Sequence, residues 1–220
     1  MTKIVHPYAH RLVVLRDWKS RWFSLGAKYR NNLKSDIVLR EYLEKRLRGS
    51  YVANVEIERN QKATRIIIRT SRPGMVIGRS GEGAQKLRAD ILALIKKGGL
   101  DVSQDLKIDI VEVENPDADA RIVAYSMVEG LEKRLPFRRV MKQAAEKVMA
   151  VRGVKGVRIY LGGRLGGAEM ARTEELKKGS IPLQTIRADV DYARERAHLA
   201  YGDIGIKVWI YRGEVFDKKQ

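Results

Sequence analysis

The residues with the clearest chemical potential in this chain are glycines. Pro73 to Arg88 reads Pro-Gly-Met-Val-Ile-Gly-Arg-Ser-Gly-Glu-Gly-Ala-Gln-Lys-Leu-Arg. Within it, Gly78-Arg79-Ser80-Gly81 follows the apolar run Met75 to Ile77 and precedes a helical pattern with Leu87, Ile91, Leu94 and Ile95 on one face. Glycines let such a loop turn sharply and let a phosphodiester backbone approach main-chain N–H groups. The helix opening after Gly81 adds partial positive charge at its N-terminus, which favours phosphate. Gly78, Gly81 and Gly83 are spaced Gly-x-x-Gly-x-Gly, the reverse of a dinucleotide fingerprint, and no Gly-x-x-x-x-Gly-Lys-Ser/Thr occurs. An ordinary tight connection would use the same glycines, so the loop alone leaves both readings open.

A second constellation is cationic. Arg138 and Lys142 are four residues apart and share a helix face; Arg139 lies about a quarter-turn away, and Arg134 extends the stripe if Pro136 only kinks the helix. Several fixed cations on one face can hold an RNA strand by its phosphates, although a solvated helix face has the same pattern. Gly162-Gly163-Arg164-Leu165-Gly166-Gly167 reads as a phosphate nest or, preferably, as a structural turn carrying Arg164 and Arg172 toward RNA. His6, His10 and His198 are far apart and lack clustered acidic companions. No metal site, cofactor site, nucleophile motif or Ser-His-Asp pattern is expected.

Composition points the same way. The 220 residues carry 44 Lys and Arg against 27 Asp and Glu, a formal net charge of +17, which favours a polyanionic partner, nucleic acid first. The absence of Cys excludes disulfides and Cys-based zinc sites and is compatible with a reducing cytosol. No apolar run of about 18 residues predicts a membrane span. The N-terminus has no secretory h-region, so the expected compartment is the cytoplasm. No membrane partner and no small-molecule substrate is expected.

The elements that must position these residues follow from periodicity. Residues 1–34 are basic and aromatic, with Tyr8, Trp18, Trp22, Phe23 and Tyr29 among Arg11, Arg16, Lys19, Arg21, Lys28 and Arg30. They read as an arm that packs, or folds on RNA. Ser35 or Asp36 caps a helix to about Leu47. Strands at Val52–Glu58 and Arg65–Thr70, the glycine loop, a helix to about Lys97 and a strand at Leu106–Glu114 follow. This is the element order of a type II KH module, an RNA-binding fold that clamps nucleic acid with a Gly-x-x-Gly loop. Asn115-Pro116-Asp117 marks a boundary. Beyond it come a helix from Asp117 or Asp119 to about Leu135, a second helix from Pro136 to Ala150, and a strand through Val157, Ile159 and Leu161. A short helix or ordered turn at Ala168–Lys177 and strands at Thr185–Tyr192, Glu195–Tyr201 and Ile204–Arg212 complete the chain. The predicted fold class is α+β: a type II KH domain over 35–115, a C-terminal two-layer domain over 116–216 with a mostly antiparallel sheet, and a short tail at 217–220.

Val5-His6-Pro7, Trp22-Phe23, Arg72-Pro73-Gly74, Phe137-Arg138-Arg139 with Met141-Lys142, Gly163 to Glu169 with Ala171-Arg172-Thr173-Glu174, and Tyr201-Gly202 with Lys207-Val208-Trp209-Ile210 together resemble the bacterial-type small-subunit ribosomal protein S3 family. The resemblance covers nearly the whole chain in order, and the segment after Gly162 is its most specific part. It implies a place on the small-subunit head, with small-subunit ribosomal RNA, mRNA and neighbouring head proteins as partners. It also implies that Arg138, Arg139 and Lys142 line the mRNA entry channel and help unwind mRNA there. Gly78, Arg79, Ser80 and Gly81 become the KH-loop RNA contacts. Arg11, Lys19, Arg21, Arg164 and Arg172 are further candidate contacts to ribosomal RNA. One departure weakens the loop: many relatives hold two basic residues in it, whereas here Arg79 is followed by Ser80 and then Glu82. The alternative reading is a free KH protein acting as an RNA chaperone or regulator; a nucleic-acid-processing enzyme would need a reactive cluster that the sequence lacks.

Overall fold

The computed structural model describes residues 5–60, 63–99 and 105–216. They form two compact units: one runs from Trp18 to Glu114, the other combines residues up to Asp17 with those from Asn115 onward. Residues 1–34, expected to be a single arm, are therefore divided between the two units.

The first 17 residues contribute α1 (Pro7–His10), a single turn in which His6 Nδ1 accepts a hydrogen bond from the Ala9 N–H. The unit from Trp18 then contains β1 (Ser20–Arg21), α2 (Gly26–Arg46), β2 (Val52–Arg59), β3 (Ala63–Thr70), α3 (Pro73–Ile77), α4 (Glu82–Gly98) and β4 (Asp105–Glu112). Its sheet has the order β1-β2-β3-β4, antiparallel between β2 and β3 and parallel at the other two pairings. Leu39 and Leu43 of α2, Leu47 just beyond its end, Leu87 and Ile91 of α4, and Ile66 and Ile68 of β3 share one core.

The start of α2 corrects the expected cap. The helix begins at Gly26, and both Ser35 and Asp36 are buried inside it. Ser35 Oγ donates to the Asn31 carbonyl (2.8 Å), while Asp36 accepts from Arg59 Nε (2.8 Å) and Trp22 Nε1 (2.7 Å). Residue types that favour caps in isolation are held in a helix interior here, because their side chains find partners within the unit.

The second unit places α5 (Ala120–Glu132) and α6 (Phe137–Ala150) before β5 (Gly156–Gly163), β6 (Arg172–Gly179), β7 (Ala188–Leu199) and β8 (Gly202–Glu214). The sheet order is β6-β5-β8-β7 and every pairing is antiparallel. Both helices cover one sheet face: Met127, Val128, Leu131, Val140, Met141, Ala145 and Val148 pack with Val157, Ile159, Leu161, Ile204, Ile206, Val208 and Ile210.

Two expectations change in this unit, and the choice left open at Pro136 is decided. Arg172 to Lys177, predicted as a short helix or ordered turn, belongs to edge strand β6. Helix-favouring Glu, Leu and Lys yield to pairing with β5, with Leu176 opposite Ile159. The two strands predicted over Thr185–Tyr201 are one continuous strand, β7. Finally, Pro136 ends the helical run instead of kinking it: α5 stops at Glu132 and Arg134 adopts φ 59°, so Arg134 does not extend the α6 stripe.

Candidate nucleic-acid interface

The glycine loop sits between α3 and α4. Gly78 has φ 72° and ψ −178°, a region almost closed to residues with a Cβ. A Cβ there would also lie 2.9 Å from the Gly83 nitrogen. Gly83, in the first turn of α4, is equally constrained: its Cβ would meet the carbonyl oxygens of Val76 at 2.6 Å and Ile77 at 2.8 Å. These two glycines let α3 and α4 approach closely, and the single turn Arg79–Gly81 projects between them. Arg79 and Ser80 are exposed, as are Met75 and Ile77 beside the loop. A cation, an exposed loop backbone and apolar surface are thus adjacent, the combination that phosphate contacts and base stacking use. Glu82 opens α4 and lies 3.9 Å from Lys86, putting a carboxylate where the helix would otherwise favour phosphate.

The second site is the outer side of α6. Val140, Met141, Ala145 and Val148 turn inward, leaving Arg138, Arg139 and Lys142 exposed. Arg139 and Lys142 have no acidic partner among the described residues. Arg138 does: its Nη2 donates to Glu174 Oε1 of β6 at 3.1 Å, and Arg172 lies 3.8 Å from the same oxygen. Both guanidiniums lie over the Phe137 ring, 5.5 and 5.6 Å from its centroid. The hydrogen bond from Arg138, reinforced by the charge of Arg172, lowers the Glu174 pKa. Glu174 therefore stays ionised and holds two arginines against one aromatic face. Its role was not legible in the sequence because it depends on β6 being a strand beside α6.

The other candidate contacts divide. Arg11 is a correction: it is fully buried, and its guanidinium donates to the carbonyls of Pro7 (3.1 Å), Leu183 (3.1 Å), Thr185 (2.9 Å) and Ala188 (2.6 Å). It ties the N-terminal segment to the chain leading into β7 and presents nothing to RNA. Arg164 is half-buried, its Nε donating to Ala168 O (2.8 Å) and Nη1 to Tyr201 O (3.2 Å), so it staples the glycine-rich turn. Arg21 pairs with Glu56 (3.0 Å) and Glu58 (3.2 Å). Lys19 is exposed, and its carbonyl accepts from Arg40 (2.8 Å). Arg172 is exposed beside Glu174.

Among the described residues, no group of three or more His, Cys, Asp or Glu is placed to hold a metal ion. None of their helices is long and apolar enough to cross a membrane.

Residues 38–118 match the family model described as a KH domain, which sets the class: a KH-domain protein carrying a second α+β domain. Residues 127–210 match the model described as ribosomal protein S3, C-terminal domain. The chain is 43% identical over 220 residues to small ribosomal subunit protein uS3 of Clostridium novyi (strain NT), covering 100% of this chain and 96% of that protein. It is 44% identical over 220 residues to the uS3 of Pseudomonas fluorescens (strain Pf0-1), covering 100% and 93%. The uS3 of Shewanella amazonensis (strain ATCC BAA-1098 / SB2B) is 43% identical over 217 residues, covering 99% and 91%. The chain belongs to the small ribosomal subunit protein uS3 family.

Proposed function

We propose that this chain is a structural, RNA-binding constituent of the small ribosomal subunit head, residing in the cytoplasm on the ribosome. In this reading its α6 cations grip incoming mRNA at the entry channel. Small-subunit ribosomal RNA and neighbouring head proteins are its standing partners; mRNA is a transient one. The observation that carries the mRNA role is the division of labour on α6. Val140, Met141, Ala145 and Val148 hold the helix to the core, while Arg139 and Lys142 stand exposed without acidic partners among the described residues. Arg138, fixed by Glu174, marks one end of this cationic edge.

Fixed cations bind a passing strand by its phosphates without reading its sequence. They therefore hold single-stranded mRNA in any reading frame. A strand held on α6 is unavailable for re-pairing, so a hairpin melts as the ribosome advances. Translocation supplies the work, and no nucleotide site is required on this chain. The KH loop, with one cation and a neighbouring Glu82, contributes a weaker backbone contact to ribosomal RNA.

The test replaces Arg138, Arg139 and Lys142 together by Ala. Ala keeps the helix, and exposed substitutions change stability by no more than about 0.5 kcal/mol each. The variant should enter small subunits normally. Translation through a stable mRNA hairpin should slow, while translation of unstructured mRNA is unchanged. An unchanged ratio of the two rates, with the variant fully incorporated, removes the mRNA role. Failure of the wild-type chain to co-sediment with small subunits removes the ribosomal assignment as well.

A further inference from the structure

The face of the C-terminal sheet turned away from α5 and α6 carries a charge pattern that its own fold does not explain. Register places Thr173, Glu175 and Lys177 of β6, Arg158, Tyr160 and Gly162 of β5, Gly205, Lys207 and Trp209 of β8, and Tyr192, Arg194 and Arg196 of β7 on it. Arg158 Nη2 pairs with Glu175 at 2.8 Å and the guanidinium lies over the Trp209 ring, while its buried Nε has no hydrogen-bond partner among the described residues. Lys177, Lys207, Arg194 and Arg196 have no acidic partner among the described residues. Arg194 and Lys207 are direct cross-strand partners, an arrangement of like charges that destabilises a sheet. Tyr160 lies under the Lys207 ammonium, 5.3 Å from ring centroid to Nζ.

Beside these cations two positions of the sheet carry no side chain, the first of them flanked by the Tyr160 ring and the Thr173 methyl, 3.3 and 3.6 Å from where a Gly162 Cβ would lie. Gly162 and Gly205 are in register on neighbouring strands. Packing does not require the second of them: a Cβ on Gly205 would meet only the Gly162 carbonyl oxygen, at an ordinary 3.7 Å. A glycine inside a strand weakens it and often marks close approach by another backbone or a ligand. Here it leaves a flat shelf bordered by Arg196, Lys207 and the half-buried Tyr160.

We propose that this sheet face is a second RNA-binding surface, with Lys207, Arg194 and Arg196 neutralising phosphates of a strand laid across the Gly162–Gly205 shelf. RNA is the partner that the chemistry selects: like-charged neighbours on adjacent strands become favourable against a chain of phosphates, and an aromatic at the edge of a flat shelf offers a base a stacking face. The surface lies on the opposite side of the sheet from α6. The domain thus presents RNA-binding chemistry on both sides, and the sheet-face assignment does not depend on the mRNA role of α6.

The experiment measures binding of the full chain to a fluorescein-labelled single-stranded RNA of 12 mixed nucleotides, by anisotropy over a salt series. Arg194→Ala with Arg196→Ala should weaken binding at least tenfold at low salt and reduce the salt slope by about one to two. Gly205→Thr, which suits a strand better, should keep or raise the melting temperature yet weaken binding severalfold with the salt slope unchanged. Wild-type affinity and slope in both variants would overturn the proposal. Arg139→Ala with Lys142→Ala is the companion variant: the two surfaces lie on opposite sides of the sheet and take separate strands, so it should weaken one of the two binding phases and leave the sheet-face phase unchanged. A loss confined to the α6 variant would sink the sheet face and leave the mRNA reading intact; a loss confined to the sheet-face variants would do the reverse.

Discussion

Arg11 shows how far a residue's chemistry can depart from its apparent setting. In sequence it is one cation among many in a basic segment, yet it is fully buried and spends its guanidinium on backbone carbonyls near Ala188. Removing it strips the Ala188 oxygen of a buried donor and those of Leu183 and Thr185 of part-buried ones, although Thr185 still accepts from the Ala188 N–H (3.2 Å); each buried acceptor left unsatisfied costs about 1–3 kcal/mol. Arg11→Met preserves much of the volume and removes every donor. It should lower stability by about 3 kcal/mol or more, measured as a shift in denaturant midpoint, while RNA affinity per folded molecule stays within twofold. A large loss of affinity in a fully folded variant would return Arg11 to the RNA interface. Nothing near Arg11 in sequence announces this role, because three of the carbonyls it reaches lie 172 to 177 positions away. Arg139 and Lys142 are the opposite case: their exposure follows from helical spacing alone, since the apolar residues that face inward are interleaved with them.

At the scale of elements, the KH unit was readable because its helices and strands follow their own periodicities, and Gly-x-x-Gly flags the loop. What periodicity could not supply was the contact between elements. Gly83 reads as a third loop glycine; in the fold it is the point where α4 touches the last carbonyls of α3. Gly→Ala inside a helix ordinarily gains up to about 1 kcal/mol. Gly83→Ala should instead lose about 1–3 kcal/mol, as overpacked contacts do, and perturb the backbone amides of Arg79 and Ser80 in NMR spectra. A net gain in stability would show that the two helices part easily. The N-terminus of α5 makes a different electrostatic point. Asp119 caps it by accepting from Arg121 N (2.9 Å) and Ile122 N (3.1 Å), and Asp191 accepts from Ala120 N (3.0 Å). Burial, followed by the neighbouring Asp191, raises the Asp119 pKa above its ordinary 3.8. The folded chain then holds that proton more tightly than the unfolded one, so stability falls as pH rises from 3.8 through the folded pKa, and the cost is fully present above it. Asn caps equally well without a charge. Asp119→Asn should therefore be at least as stable as wild type at neutral pH and lose that advantage as pH falls toward 3.8, whereas Asp119→Ala loses about 1 kcal/mol. A stability difference between wild type and Asp119→Asn that does not move with pH would contradict the assignment.

The order of domains along the chain was legible from the boundary at Asn115-Pro116-Asp117, but the allegiance of the N-terminal segment was not. Basic and aromatic composition describes residues 1–34 as one piece; long-range hydrogen bonding divides them after Asp17. On the early side, Arg11 is enclosed by the chain before β7, and Arg16 pairs with Asp189 at 2.6 Å. On the later side, the Lys19 carbonyl accepts from the Ile57 N–H (2.9 Å) and Trp22 reaches Asp36. The two halves of the segment should therefore stabilise different units. A chain beginning at Trp18 loses Arg11, Arg16 and the Tyr8–Asp17 hydrogen bond, all of which serve the unit containing β7. Arg212, which lies 3.8 Å from Asp189 and 3.0 Å from Asp191, remains as a cation beside both. If the lost contacts amount to about 3 kcal/mol, amide exchange through local opening of β7 and β8 should accelerate on the order of a hundredfold or more. The amides of β2 and β3 should exchange as in the full chain, because their core is built from residues between Leu39 and Ile110. Native-state hydrogen exchange resolves the two regions in one experiment, since protection reports the opening of each cooperative region separately. Equal acceleration in both sheets would mean that the units unfold as one body. Unchanged exchange in β7 would mean that the contacts of Arg11 and Arg16 contribute nothing to the fold they join.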